Sequence, residues 1–250
     1  MSVRLLILAL ILFGACGLAS ADTIDATDVD WSRGEGVWLT ENNSSTPTDA
    51  YFAGVIFITL TASNGSQYNR DTLCAQLFVD INPGVTYNTT VVRPDQVPGR
   101  NLTIAAWLVD SELPTVTTAP QGAGLQLAIW DIVEDGGDGF STGSVQASTT
   151  AGEETDPTVL LWAETYECLA MGSQSPSCQA AGVTPLGPVQ TSDLAYVYIN
   201  TALNGDPAQM LIGPVFQDNG PEPAPEPSTS TLGGAGLIAG AYLAFRKKAR

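Results

Sequence analysis

The chain of 250 residues contains no histidine. That excludes Ser-His-Asp and Cys-His catalysis and every His-ligated metal site. No lysine lies between Asp22 and Phe245. An intramolecular Lys–Asn crosslink is thereby excluded, and a built-in electrophile would meet no lysine amine on its own domain. Positive charge is scarce throughout. Between the two ends only Arg33, Arg70, Arg93 and Arg100 oppose 26 acidic residues, and the net charge is −17. Such a surface repels phosphate backbones, so nucleic acid is excluded as a partner. The acidity reads instead as a soluble, salt- and Ca²⁺-tolerant surface.

Both ends carry targeting features. Arg4 precedes an apolar run from Leu5 to Leu12, and Ala19-Ser20-Ala21 offers a small-residue cleavage site, which predicts a signal peptide over 1–21. Phe13-Gly14-Ala15 before Cys16 fits a lipobox poorly, so Cys16 is expected to leave with the signal. At the other end, Pro225-Glu226-Pro227-Ser228 is followed by the apolar run Thr231 to Phe245 and then by Arg246-Lys247-Lys248-Ala249-Arg250. As a helix that run reaches only about 22 Å, short of the ~30 Å hydrocarbon core. Its basic end belongs on the cytoplasmic side. The arrangement resembles the PEP-CTERM sorting signal of bacterial surface proteins. It implies an exosortase-type sorting enzyme as partner, a Pro/Glu linker over 218–230 and a transient membrane helix over 231–250. The localisation implied is the cell surface or extracellular matrix.

The remaining segment, 22–217, is long enough for one domain with a real core. After signal removal three cysteines remain, Cys74, Cys168 and Cys178. In an exported protein an odd count leaves one thiol to explain. Cys168 and Cys178 flank a Gly/Ser/Pro loop, so a local disulfide between them is expected and Cys74 is left over.

The pattern along this segment is β-rich. Val37–Thr40 reads as a short strand, Tyr51–Thr61 as a strong one, and Leu73–Asn82 alternates apolar and polar side chains. Val85–Val92, Leu194–Ile199 and Gln209–Phe216 add further strands. Helical spacing is seen from Asn101 to Pro114 and over Gly124–Glu134, where Leu125, Ala128, Ile129, Ile132 and Val133 form an amphipathic stripe. Thr158–Tyr166 fits a short helix or strand. The expected fold is mainly β: a β-sandwich-like domain with a small α-helical subdomain, followed by the C-terminal sorting helix.

Two local motifs carry chemistry. Leu73-Cys74-Ala75-Gln76-Leu77 and Leu125-Gln126-Leu127-Ala128-Ile129-Trp130 resemble the signature segments of bacterial thioester domains. Leu125 stands where that family has Thr. The resemblance covers about Tyr51 to Pro214, with Ala105–Leu108 and Gln209–Ile212 similar to stretches of PEP-CTERM proteins of this kind. It implies an internal thioester between Cys74 Sγ and the Gln126 side-chain carbonyl, sheltered by Trp107 and Trp130. Such a bond acylates an amine or hydroxyl on a surface or matrix partner once, which is covalent adhesion rather than enzymatic turnover. The alternative is a non-reactive structural matrix protein with the same sorting tail. A carboxylate-dependent hydrolase is a third reading, for which the chain singles out no acid pair. Asp131, Glu134, Asp135 and Asp138 lie near Gly136, Gly137 and Gly139. They could ligate Ca²⁺ through oxygens, but they do not match the EF-hand spacing, and a solvated helix end is the preferred reading; no metal site or cofactor is assigned.

Overall fold

The computed structural model describes residues 22–41, 49–77, 79–185 and 187–214. The expected signal peptide, the Pro225-Glu226-Pro227 motif and the sorting helix lie outside the described residues.

The described body is mainly β, with a large antiparallel sheet and several helices. Its strands are β1 (Asp22–Glu41), β2 (Asp49–Thr61), β3 (Gln67–Cys74), β4 (Thr86–Val92), β5 (Val145–Ala147), β6 (Thr149–Thr150), β7 (Glu153–Glu154), β8 (Tyr196–Ala202) and β9 (Leu211–Gly213). The helices are α1 (Leu102–Ser111), α2 (Ala119–Glu134), α3 (Pro157–Met171) and α4 (Ser177–Ala181). Seven strands belong to one sheet in the order β2-β3-β9-β8-β4-β1-β5. Because β1 also pairs with β2, the first six of these strands close into a ring. Pairing thus runs continuously through these strands, while β6 and β7 form a separate ribbon. Closure gives each of those six strands a neighbour on both sides over part of its length, which shortens the exposed edges.

The long β1 makes the closure possible. It runs beside β2 for most of its length, meets β4 through Asp22–Asp25 and meets β5 through Leu39–Glu41. Register shifts after Ala26 and after Val29 bend it between these partners. Ile24, Ala26, Val37 and Leu39 are fully buried along it. Only its last part was expected, as the short strand at Val37–Thr40.

The helical part is larger than the pattern suggests. α2 begins at Ala119, five residues before the expected Gly124, with Pro120 in its first turn. The Thr118 N–H donates to Gln121 Oε1 at 3.2 Å, half of a capping box. α3 is a full helix, entered through Asp156, whose carboxylate accepts the Thr158 N–H at 2.6 Å.

Every residue of α2 from Gly122 to Val133 is buried. Ala123, Leu127 and Trp130 pack with Ile24, Val37, Leu39, Ile58 and Leu211 of the sheet. Leu125, Ala128, Ile129, Ile132 and Val133 pack with Leu102, Ala105 and Val109 of α1 and Tyr166 and Ala170 of α3. The expected apolar stripe therefore covers one face only, and a second apolar set covers another. Small residues let the backbones approach: a methyl on Gly124 would lie 2.5 Å from Trp162 Cβ, and one on Gly122 would overlap the Arg33 carbonyl.

Gly122→Ala is expected to destabilise the protein by about 2–3 kcal/mol through overpacking against backbone. Gly36→Ala, whose added methyl has nothing within 4 Å, should change stability by less than about 0.5 kcal/mol. Urea unfolding of both variants checks this.

Candidate functional site

The site is built where β3 stops. The β2–β3 pairing extends to Ile56–Thr72, and β3 ends two residues later at Cys74. The Ala75 N–H donates toward β9, to the Met210 carbonyl at 2.8 Å. Alternation along the strand turns the Cys74 N–H and C=O the other way. There they meet the side chain of Gln126. The Cys74 N–H donates to Gln126 Oε1 at 2.8 Å, and Gln126 Nε2 donates to the Cys74 carbonyl at 2.7 Å. The carboxamide takes the place of the next peptide of β2. The two residues brought together here are 52 positions apart in the chain.

Both partners are inside. Gln126 is fully buried and Cys74 is 4% exposed, with its sulfur in no disulfide. Burial, with the Asp80 charge as a lesser cause, pushes the Cys74 thiol well above its ordinary range. Burial shields the sulfur from solvent reagents and disfavours the thiolate of a free thiol there. Trp130, 2% exposed, belongs to the same cluster as Cys74 and meets Tyr51 edge to face at 6.4 Å. Its indole N–H is buried without a partner. Trp107 is only partly buried and packs with the helical cluster on the other side of α2. Of the two expected shelters, Trp130 shares the packing of Cys74 and Trp107 does not. Leu125, at the position where the resembled family has Thr, is packed fully buried among α1 and α3 side chains.

The strand expected over Leu73–Asn82 does not continue past Cys74. Side chains hold the next residues instead of a ladder. Gln209 Nε2 donates to the Gln76 carbonyl at 2.6 Å, Gln76 Oε1 accepts the Met210 N–H at 3.0 Å, and Glu134 Oε1 accepts the Leu77 N–H at 3.2 Å. Asn200 Nδ2 in turn holds the Gln209 carbonyl at 2.7 Å. The segment following the cysteine is thus hung on three side chains. The pairing of Gln76 with Gln209 had no signal in spacing.

A second polar group lies farther along α2. Asp131 is fully buried, as is Glu167 of α3, which accepts Ser175 Oγ at 2.6 Å and Ser177 Oγ at 2.9 Å. Burial first, then the Glu167 and Asp135 carboxyls, push Asp131 up to about 10. Beside Glu167, Cys168 and Cys178 form a disulfide with an S–S distance of 2.09 Å. It fastens the loop that carries the two serines. No described helix is long and apolar enough to cross a membrane.

No family model matches this chain, and neither a curated protein nor a solved structure matches it.

In a Cys74→Ala background, which isolates the hydrogen bonds from any bond to sulfur, Gln126→Leu leaves a buried N–H and C=O unpaired. It should cost about 2–5 kcal/mol. Gln126→Glu, which can still accept the Cys74 N–H, should cost less. Chemical denaturation of the three proteins measures the ranking.

Proposed function

We propose that the chain is an exported surface or matrix protein whose Cys74 and Gln126 condense to an internal thioester that joins it covalently to a partner nucleophile. The observation that carries this reading is the seating of the Gln126 carboxamide on the main chain of the cysteine itself. In the condensation the Cys74 sulfur attacks Gln126 Cδ, the C–N bond breaks, and the thiol proton departs with the nitrogen as ammonia. An amide is a poor electrophile, so the reaction needs sulfur and carbonyl held together and a donor to the forming oxyanion. The Cys74 N–H, 2.8 Å from Oε1, is positioned for that role. It would serve where the resembled family has a Thr hydroxyl and this chain has Leu125. The dry surroundings of Trp130 and Leu127 would protect the product from hydrolysis. The partner nucleophile is an amine or hydroxyl of a surface polysaccharide or protein. The tail over 218–250, with Pro225-Glu226-Pro227, fits sorting by an exosortase-type enzyme through a transient membrane helix.

One observation favours a second reading. Both polar ends of an intact carboxamide are already satisfied by the Cys74 main chain. A glutamine in that position works as a permanent clasp, and the protein would then be a non-reactive structural component of the matrix.

Intact mass separates the two. The thioester form is lighter than its sequence mass by one ammonia, gains one methylamine on treatment with that amine, and loses both properties in Cys74→Ala. Its sulfur resists thiol reagents after unfolding without reductant, until the bond is cleaved. A wild-type mass equal to the sequence mass, with Cys74 labelled on unfolding, eliminates the covalent reading and leaves the clasp.

A further inference from the structure

The acidic end of α2 is only partly solvated: Asp131 is buried, Asp135 half-buried and Asp138 exposed. Asp131 lies in its last turn, Asp135 caps it, and Asp138 returns to them from the following loop. Gly136, Gly137 and Gly139, all at positive φ, permit that reversal. One carboxylate oxygen from each aspartate lies within 4.8 Å of the others. The hydrogen bonds account for only part of these carboxylates. Asp131 Oδ2 accepts the Gly139 N–H at 3.2 Å, and Asp135 Oδ2 accepts the Ser144 and Val145 N–H groups at 2.5 and 3.1 Å. Asp131 Oδ1 and Asp135 Oδ1 are buried and accept from no N–H or hydroxyl, and the Asp131 carboxyl faces those of Asp135 and Glu167 at hydrogen-bonding range. Glu167 stands behind Asp131 as a fourth acid. The ion pairs of Arg33 with Asp30 and Asp71 and of Arg100 with Glu134 do not involve these three aspartates.

Two undonated, buried carboxylate oxygens within one acidic cluster call for a positive occupant, since an unpaired buried charge is strongly unfavourable. We propose that Asp131, Asp135 and Asp138 bind a Ca²⁺ ion. The ligands are all hard oxygens, and the cluster contains no histidine or cysteine to favour zinc. A cage of several protein oxygens suits Ca²⁺, whereas Mg²⁺ keeps most of its water and is held through one or two carboxylates. The negative end of the α2 dipole adds to the attraction. Asp138 is exposed at the rim of a cavity of about 400 Å³ that Ser141, Glu164 and Ser177 also line, which gives the ion an entry path and water to complete its coordination. Glu167, fixed by Ser175 and Ser177, acts on Asp131 as a positioning residue rather than a ligand.

Calcium then joins α2 to the 136–145 loop, independently of the Cys74–Gln126 pair. The test uses the full chain freed of metal with EDTA, at constant ionic strength and neutral pH. Thermal unfolding is followed with CaCl₂, with MgCl₂ and with neither, and CaCl₂ binding is measured by calorimetry. Calcium should raise Tm by about 5 °C or more and magnesium much less. Asp138→Asn, at an exposed position where folding is not at risk, should weaken calcium binding at least tenfold without lowering the metal-free Tm. Asp28→Asn, an exposed acid outside the cluster, should leave the response intact. Equal Tm in calcium and EDTA with no binding heat overturns the proposal and assigns the neutralising role to protons. A calcium response that survives both Asp138→Asn and Asp135→Asn overturns it as well.

Discussion

A helix buried on two faces sets the terms for the rest of this molecule. Once α2 lies between the closed sheet and α1 and α3, any polar side chain on it must find its partner inside the protein. Gln126 finds the main chain of Cys74. Asp131 finds the Gly139 N–H for one oxygen and otherwise only the neighbouring carboxyls of Asp135 and Glu167. Each solution reaches a different part of the chain, so the helix is tied to the end of β3 by one side chain and to its own following loop by another. An unsatisfied buried amide costs far more than an exposed one gains, and these pairings therefore fix the register of α2 against its neighbours more narrowly than apolar packing alone would. The small residues Gly122 and Gly124 are the steric side of the same constraint, since they allow the backbones of β1 and α3 to come close enough.

The irregular segment after Cys74 follows from this arrangement. A strand continues only while a neighbour supplies peptides, and at Cys74 the neighbour on one side is a side chain. Gln76, Gln209 and Glu134 take over beyond that point. Hydrogen bonds carried by side chains are fewer and farther apart than those of a ladder. This stretch is thus the part of the surroundings of Cys74 with the least backbone pairing to break, and the natural direction from which a partner would approach.

Much of this was legible in residues. β-branched and aromatic density marked β2 and β4, Pro114 closed α1, and the Gly/Ser/Pro loop between Cys168 and Cys178 marked their disulfide. Two short motifs were enough to point Cys74 and Gln126 at each other across 52 positions. The failures have physical causes. Leu73, Ala75, Leu77 and Val79 alternate as a strand would, but alternation reports burial on one side and says nothing of whether a pairing partner exists. The start of α2 was hidden because Gly122 and Gly124 are poor helix formers, and tertiary approach requires them there. Ring closure was invisible because β1 was read only at its Val37–Thr40 end; its pairing with both β2 and β4 depends on bends that no periodicity records. The solvated helix end holds for Asp138 but not for Asp131, because the spacing of Asp131, Asp135 and Asp138 does not reveal that Asp131 is buried, nor that Glu167 arrives behind it from another helix.

The clasp also bears on which nucleophile the proposed thioester would favour. Condensation removes Nε2 as ammonia, so the Cys74 carbonyl loses its donor while the Cys74 N–H keeps its bond to Oε1. A buried carbonyl without a donor is tolerated more often than a buried N–H without an acceptor, so the lost bond lies on the less costly side. Attack by an amine would restore a nitrogen on Gln126 Cδ, and its one remaining hydrogen could again donate to the Cys74 carbonyl. Attack by a hydroxyl would give an ester with no such hydrogen and leave that carbonyl bare. The difference is about one buried hydrogen bond, on the order of 1 kcal/mol. It acts on the product rather than on the attacking group. The shortage of lysine fits the same logic: with none between Asp22 and Phe245, no lysine amine of this segment competes to complete the clasp.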